Sequence, residues 1–235
     1  MIIGITGGTG CGKTTLLNIL RDQGGLVLDC DAIYYELLQR DDHLLAAIEE
    51  RFPGVVENGV LQRKKLGNLV FSDEQALLDL NRITHGAVKA EVLRRLAEKP
   101  ALAAIDAIGL IEGGLAELCD TTVAVTAPRE QRIQRLMLRD NISAEYAEKR
   151  IDAQKDPTWF RENCDYVLEN DGTEEEFCLK CLAFFRKLGQ GDVQRQHRAA
   201  LELFRRRKYA VLGKTKRFRP FFIQSIIIFI RHGLE

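Results

Sequence analysis

The chain lacks most of what would send it to a membrane or an oxidising compartment. Its run Phe221 to Ile230 is broken by Gln224 and Ser225 and spans ten residues, where a bilayer crossing takes about 20. No basic, apolar leader precedes the first strand-like stretch, since a glycine-rich motif already begins at Gly7; the expectation is a cytoplasmic protein. There are six cysteines, Cys11, Cys30, Cys119, Cys164, Cys178 and Cys181, and only the last two form a C-x-x-C. Without a second such pair the zinc reading fails, and in a reduced compartment the cysteines serve as small apolar residues. No internal repeat and no low-complexity tract is present. Formal net charge is zero, which hides an asymmetry: residues 191–235 hold eleven Lys/Arg against three Asp/Glu, leaving twenty-three against thirty-one for the rest. Such a tail marks a nucleic-acid contact, a membrane contact or an appended segment.

What is present fits a soluble globular protein, 46% apolar and 29% charged over 235 residues, enough for one domain with room for an insertion. Ile2, Ile3 and Ile5 read as a buried parallel strand. Gly7-Gly8-Thr9-Gly10-Cys11-Gly12-Lys13-Thr14 follows, a full match to G-x-x-x-x-G-K-[ST], and then Leu16, Leu17, Ile19 and Leu20 at helical spacing. A phosphate chain needs backbone N–H donors aimed inward from a tight loop, and glycines supply the left-handed turns and close approach this takes. The helix behind adds its own free N–H groups and positive dipole end. Lys13 is expected to bridge the β- and γ-phosphates and Thr14 to sit on Mg²⁺.

Leu26-Val27-Leu28 predicts a second strand running into Asp29-Cys30-Asp31. An acid at the carboxyl end of a parallel strand faces the crevice where open α/β sheets bind ligands. Asp31 is so placed, although either Asp29 or Asp31 would equally serve as a helix N-cap. Residues 41–99 turn mainly helical, with a small hairpin around Asn58-Gly59, and read as an insertion able to build a second ligand's pocket. Ala101 to Asp106 returns to a strand, and Asp106 falls where a Walker-B-type acid would hold Mg²⁺ or its water. Thr121 to Thr126 and Asp165 to Leu168 complete five strands of a doubly wound parallel sheet. Between them a helix from Pro128 carries Arg129, Arg132, Arg135 and Arg139, facing phosphate chemistry that needs clamped charge. For Arg129 and Arg132 the expectation is a solvated basic face. Val193 to Tyr209 predicts an amphipathic basic helix in the extension 189–235.

Taken together these residues resemble the dephospho-coenzyme A kinase family from Met1 to about Leu188. Thr6 to Thr15 looks like the family's opening and Asp29-Cys30-Asp31 like its Asp-x-Asp signature. Leu61-Gln62-Arg63, the Phe71 region and Ile83-Thr84-His85 resemble its helical acceptor-binding insertion. Arg139-Asp140 and Arg150-Ile151-Asp152-Ala153-Gln154 resemble its lid (139–161), and Asp165 and Asn170 its closing strand and turn. The chain departs from the pattern at Ile108-Gly109-Leu110-Ile111-Glu112, where a Pro-Leu-Leu run is usual, and at Gly86, where a proline follows the histidine. The resemblance implies a P-loop kinase fold over residues 1–188 and transfer of the γ-phosphoryl group of ATP, with Mg²⁺, to the ribose 3′-hydroxyl of dephospho-coenzyme A. It implies Asp31 as the acid that orients or deprotonates that hydroxyl, with Lys13 and Arg139 stabilising the moving group. Gly8, Thr9, Gly10, Cys11, Gly12, Lys13, Thr14, Thr15 and Asn170 would hold the nucleotide, and Arg63, His85, Asp106, Glu112 and Gln154 the acceptor. The partners are then small molecules rather than nucleic acid.

Other readings differ at definite residues. Another nucleotide or small-molecule kinase on this fold shares every feature but the acceptor. A P-loop switch protein would use Asp106-Ala107-Ile108-Gly109 as D-x-x-G, yet no Asn-Lys-x-Asp exists to read guanine. A catalytically weakened relative whose tail binds nucleic acid would show salt-sensitive binding.

Overall fold

A computed structural model of the chain describes residues 1–71 and 73–189; the expected helix over 193–209 and the apolar run over 221–230 lie outside the described residues. The described chain divides after Asp171. In the first unit, β1 (Ile2–Thr6) leads through the glycine-rich loop to α1 (Lys13–Asp22), then β2 (Leu26–Asp29) and α2 (Cys30–Arg40). The insertion holds α3 (Asp42–Arg51), the hairpin β3 (Val56–Glu57) and β4 (Val60–Leu61), α4 (Arg63–Val70) and α5 (Glu74–Leu96). After it come β5 (Ala103–Asp106), β6 (Thr121–Thr126), α6 (Arg129–Asp140), α7 (Ala144–Asp152), α8 (Pro157–Asn163) and β7 (Tyr166–Glu169).

Five strands form one parallel sheet in the order β2-β5-β1-β6-β7. Parallel strands covered on both faces are apolar throughout, and here Ile3, Ile5, Ala103, Ala104, Ile105 and Val123 to Val125 are fully buried. The polar start of β6 is satisfied locally. Asp165, just ahead of β7 rather than within it, accepts from Thr122 N at 2.7 Å and from both threonine hydroxyls, Thr121 and Thr122, through Oδ2.

The insertion is built around α5. Asp73 caps it by accepting from Gln75 N and Ala76 N, satisfying donors that a helix start leaves over, and α2, α3 and α4 pack against it. The hairpin turns on Asn58 and Gly59, both in the left-handed region, as a tight two-residue turn requires. One apolar cluster runs from Leu28 and Ile105 of the sheet through Leu44, Ile48, Leu66, Leu80 and Val88, so the insertion is continuous with the core. A smaller cluster, Leu136, Ala147 and Ile151 with Ile133 and Ile142, ties α6 to α7. Pro128 stands one position earlier than expected, as the residue before the first helical one. In the second unit residues 174–189 are helical, and Phe177, Cys181, Phe184, Phe185 and Leu188 are its buried apolar side chains. Among the described residues no helix is long and apolar enough to cross a membrane.

Candidate active site

The loop between β1 and α1 turns on three glycines with positive φ, Gly7 (133°), Gly10 (75°) and Gly12 (96°). A side-chain carbon on Gly7 would meet Val125 N of the neighbouring strand at 3.0 Å, so the backbone there must be bare. Gly12 stands at the start of α1 without a side-chain cap, which leaves the first N–H groups of that helix for a ligand. Lys13 lies back along the loop, its Nζ donating to Gly7 O at 2.8 Å.

Side chains from elsewhere hold the loop's carbonyls. Arg132 Nε donates to Thr9 O at 2.9 Å, Arg135 Nη1 to Gly10 O at 3.2 Å, and Asn170 Nδ2 to Cys11 O at 2.9 Å. Three consecutive oxygens are thus drawn to outside partners, and amide and carbonyl of a peptide unit point opposite ways. Gln154 adds a further tie, its Oε1 accepting from Thr9 N at 2.9 Å and Arg132 Nη2 at 2.6 Å. Arg132 corrects the sequence expectation: it is 6% exposed, not on a solvated face, and burial draws its guanidinium below the usual arginine range. Arg129, by contrast, is exposed and pairs with Asp152.

The loop forms one wall of a cleft of about 680 Å³. Gly8 to Thr14 lie along it, with Asp31 and Tyr35 of α2, Asp106 and the residues after it, and Arg135, Leu138, Arg139 and Arg150 of the α6–α7 pair. Sheet register explains the acids. Asp106 is paired with Ile5 on one side and Asp29 on the other, so the ends of β1, β5 and β2 lie level. Asp29 is the cap of α2, its Oδ1 accepting from Asp31 N and Ala32 N, each at 3.0 Å. That settles which acid does which: Asp29 caps, and Asp31 lies along the cleft shared with Lys13. Burial pushes Asp106 up to about 6, opposed by the Lys13 ammonium and reinforced by Asp29 and Asp31. Its Oδ1 is buried without a hydrogen-bond partner among the described residues. Opposite, Asp140 receives Arg139 through Nε (2.6 Å) and Nη2 (2.9 Å) and Arg150 through Nη1 (2.6 Å), and the two guanidiniums hold its carboxyl at about 2.

The family model for dephospho-CoA kinase matches residues 1–176. The chain belongs to the dephospho-CoA kinase family. A dephospho-CoA kinase of Syntrophotalea carbinolica is 37% identical over 198 residues, covering 81% of this chain and 93% of that protein. One from Anaeromyxobacter dehalogenans is 38% identical over 185 residues, covering 76% and 88%. Among solved structures, a Thermus thermophilus protein superposes with a TM-score of 0.68 at 33% identity, over 80% of this chain and 97% of that one. The dephospho-CoA kinase from Campylobacter jejuni gives 0.59 at 24% identity, over 81% and 98%, a likeness of fold.

In this member of the dephospho-CoA kinase family the residues expected at the acceptor are dispersed. Asp106 alone of them lies along the cleft. Gln154 is behind the loop, joined to Thr9 and Arg132. Arg63, at the start of α4, is exposed and acts electrostatically on Tyr34 and Tyr35, but does not line the cleft. His85 lies by Val88, Gly113 and Leu115, and burial lowers its imidazole to about 4. Glu112, raised by burial, is 3.9 Å from Lys155, whose ammonium lies over the Trp159 ring. Of the expected nucleotide residues, Thr15 and Asn170 are not cleft-lining; Asn170 works from behind. Tyr35 and Leu138 were missed. Tyr35 was findable, being one helical turn beyond Asp31; Leu138, 87% exposed, carries no signal in a run that reads as an ordinary apolar position.

Proposed function

We propose that this chain transfers the γ-phosphoryl group of ATP to the ribose 3′-hydroxyl of dephospho-coenzyme A, giving coenzyme A and ADP, in the cytoplasm. The observation that carries the reading is the joint presence of Lys13 and Asp31 along one cleft, with Asp29 relieving Asp31 of the capping role. Inward-facing amides of the loop and of α1 bind the β- and γ-phosphates, and Lys13 leaves Gly7 O to reach them. Asp31 accepts the hydrogen of the acceptor hydroxyl; the oxygen bonds to the γ-phosphorus as the bond to the β–γ bridging oxygen breaks; ADP departs and Asp31 carries the proton. Arg139 and Arg150, held by Asp140, meet the charge on the transferring group. Arg63 supplies positive charge beyond Tyr35 for the acceptor's own phosphates.

The donor set also suits Mg²⁺, since the Thr14 hydroxyl and Asp106 Oδ1, which has no hydrogen-bond partner among the described residues, are hard oxygen donors along one cleft. When bound, the ion would neutralise phosphate charge. Coupled ADP release with and without dephospho-coenzyme A tests the reading. Acceptor-dependent release with ATP is expected, and equal release in its absence, or preference for another acceptor alcohol, overturns it. Asp31→Asn is expected to lower kcat by about 10²–10⁴ with ATP affinity nearly intact; an unimpaired variant removes Asp31 from the mechanism.

A further inference from the structure

Arg132 is an expensive way to brace a loop. Its side chain is almost completely buried, and both of the hydrogen bonds it makes among the described residues go to uncharged acceptors, Thr9 O and Gln154 Oε1. Asp152, which acts on it electrostatically, is exposed and committed to Arg129. A buried guanidinium without a hydrogen-bonded counter-ion is costly, and it stays protonated. A neutral amide could make the same contacts at lower cost. The charge is also unusually close to the loop: a side-chain carbon on Gly8 would lie 2.8 Å from Arg132 Cζ, so the loop backbone alone separates the guanidinium from the cleft.

We propose that Arg132 is a countercharge for the bound triphosphate, acting from behind the phosphate loop and through it. The proposal rests on the reading that this loop holds ATP. Arg132 touches no substrate; it offsets the ligand's negative charge across a thin, water-poor layer where salt screens little. In the ligand-free protein the same charge is an uncompensated load, which binding relieves.

The test compares ATP affinity by calorimetry with thermal stability of the ligand-free full chain, for wild type, Arg132→Gln and Gln154→Glu. The second variant keeps the guanidinium and the acceptor oxygen at the same place but neutralises the pair. Both are expected to weaken ATP binding about tenfold, the size of one charge acting at this range, with the ligand-free melting temperature equal to or above that of wild type. Arg132→Lys, which keeps the charge, should recover most of the affinity. If Gln154→Glu binds ATP within about twofold of wild type, Arg132 is only a brace and the proposal falls. That variant alone decides the matter should Arg132→Gln fail to fold. A wild-type chain that binds no ATP would instead remove the loop reading itself, and the proposal with it.

Discussion

Asp29 and Asp31 do two things that one carboxylate could not. A carboxylate accepting two amide hydrogens of its own helix is fixed toward that helix, so a strand-end acid that also had to face a ligand would have to give up one role. Placing two acids two positions apart removes the conflict. His85 shows the same dependence on surroundings in its titration. Its imidazole is held at about 4 by burial, against about 6.5 in an unfolded chain. Between those values the unfolded chain binds more protons, so stability rises with pH across the window and is lost as pH falls through it. The imidazole signal of His85 followed by NMR should show a midpoint near 4, and His85→Gln should flatten the loss of melting temperature on acidification. A midpoint of about 6 or higher would mean that the ring is solvated.

At the scale of elements, most of the architecture follows from local chemistry. Isoleucine at positions 2, 3 and 5 and the Asn58-Gly59 turn were each readable, because strand and turn depend on residues within a few positions of one another; the cap of α2 was narrowed only to Asp29 or Asp31, and the structure chooses Asp29. Asp73→Ala removes two hydrogen bonds from the start of α5, the longest helix among the described residues, and should cost about 1 kcal/mol, lowering the melting temperature by about 2–4 °C; Asp73→Asn should retain most of it. An unchanged Asp73→Ala melting curve would show that packing against α2, α3 and α4 fixes the start of α5 unaided. The α6 arginines could not be sorted in the same way. Arg129, Arg132, Arg135 and Arg139 share one helix and one charge, and only the path of the glycine loop, brought beside α6 by strand pairing, decides which are buried.

For the molecule as a whole, the order β2-β5-β1-β6-β7 places β1 between two fully covered neighbours. Amide exchange should be slowest in β1, β5 and β6 and fastest in the β3–β4 hairpin, whose two-residue strands carry little burial; early exchange of β1 would contradict a core centred there. The same topology explains which site residues were legible. Lys13, Thr14, Asp31 and Asp106 follow directly from strand ends, because a parallel sheet delivers all of them to one edge. Arg63 and His85 depend on how the insertion's helices settle, Glu112 and Gln154 on the turns after β5 and α7, and sequence spacing has no hold on either.

No linker separates β2 from α2: Asp29 ends the strand and caps the helix. The aim of Asp31 is therefore set by a handful of residues anchored in the sheet. The packing of α2 on α5 carries that placement outward, so the helices of residues 41–99 take their position from the same joint.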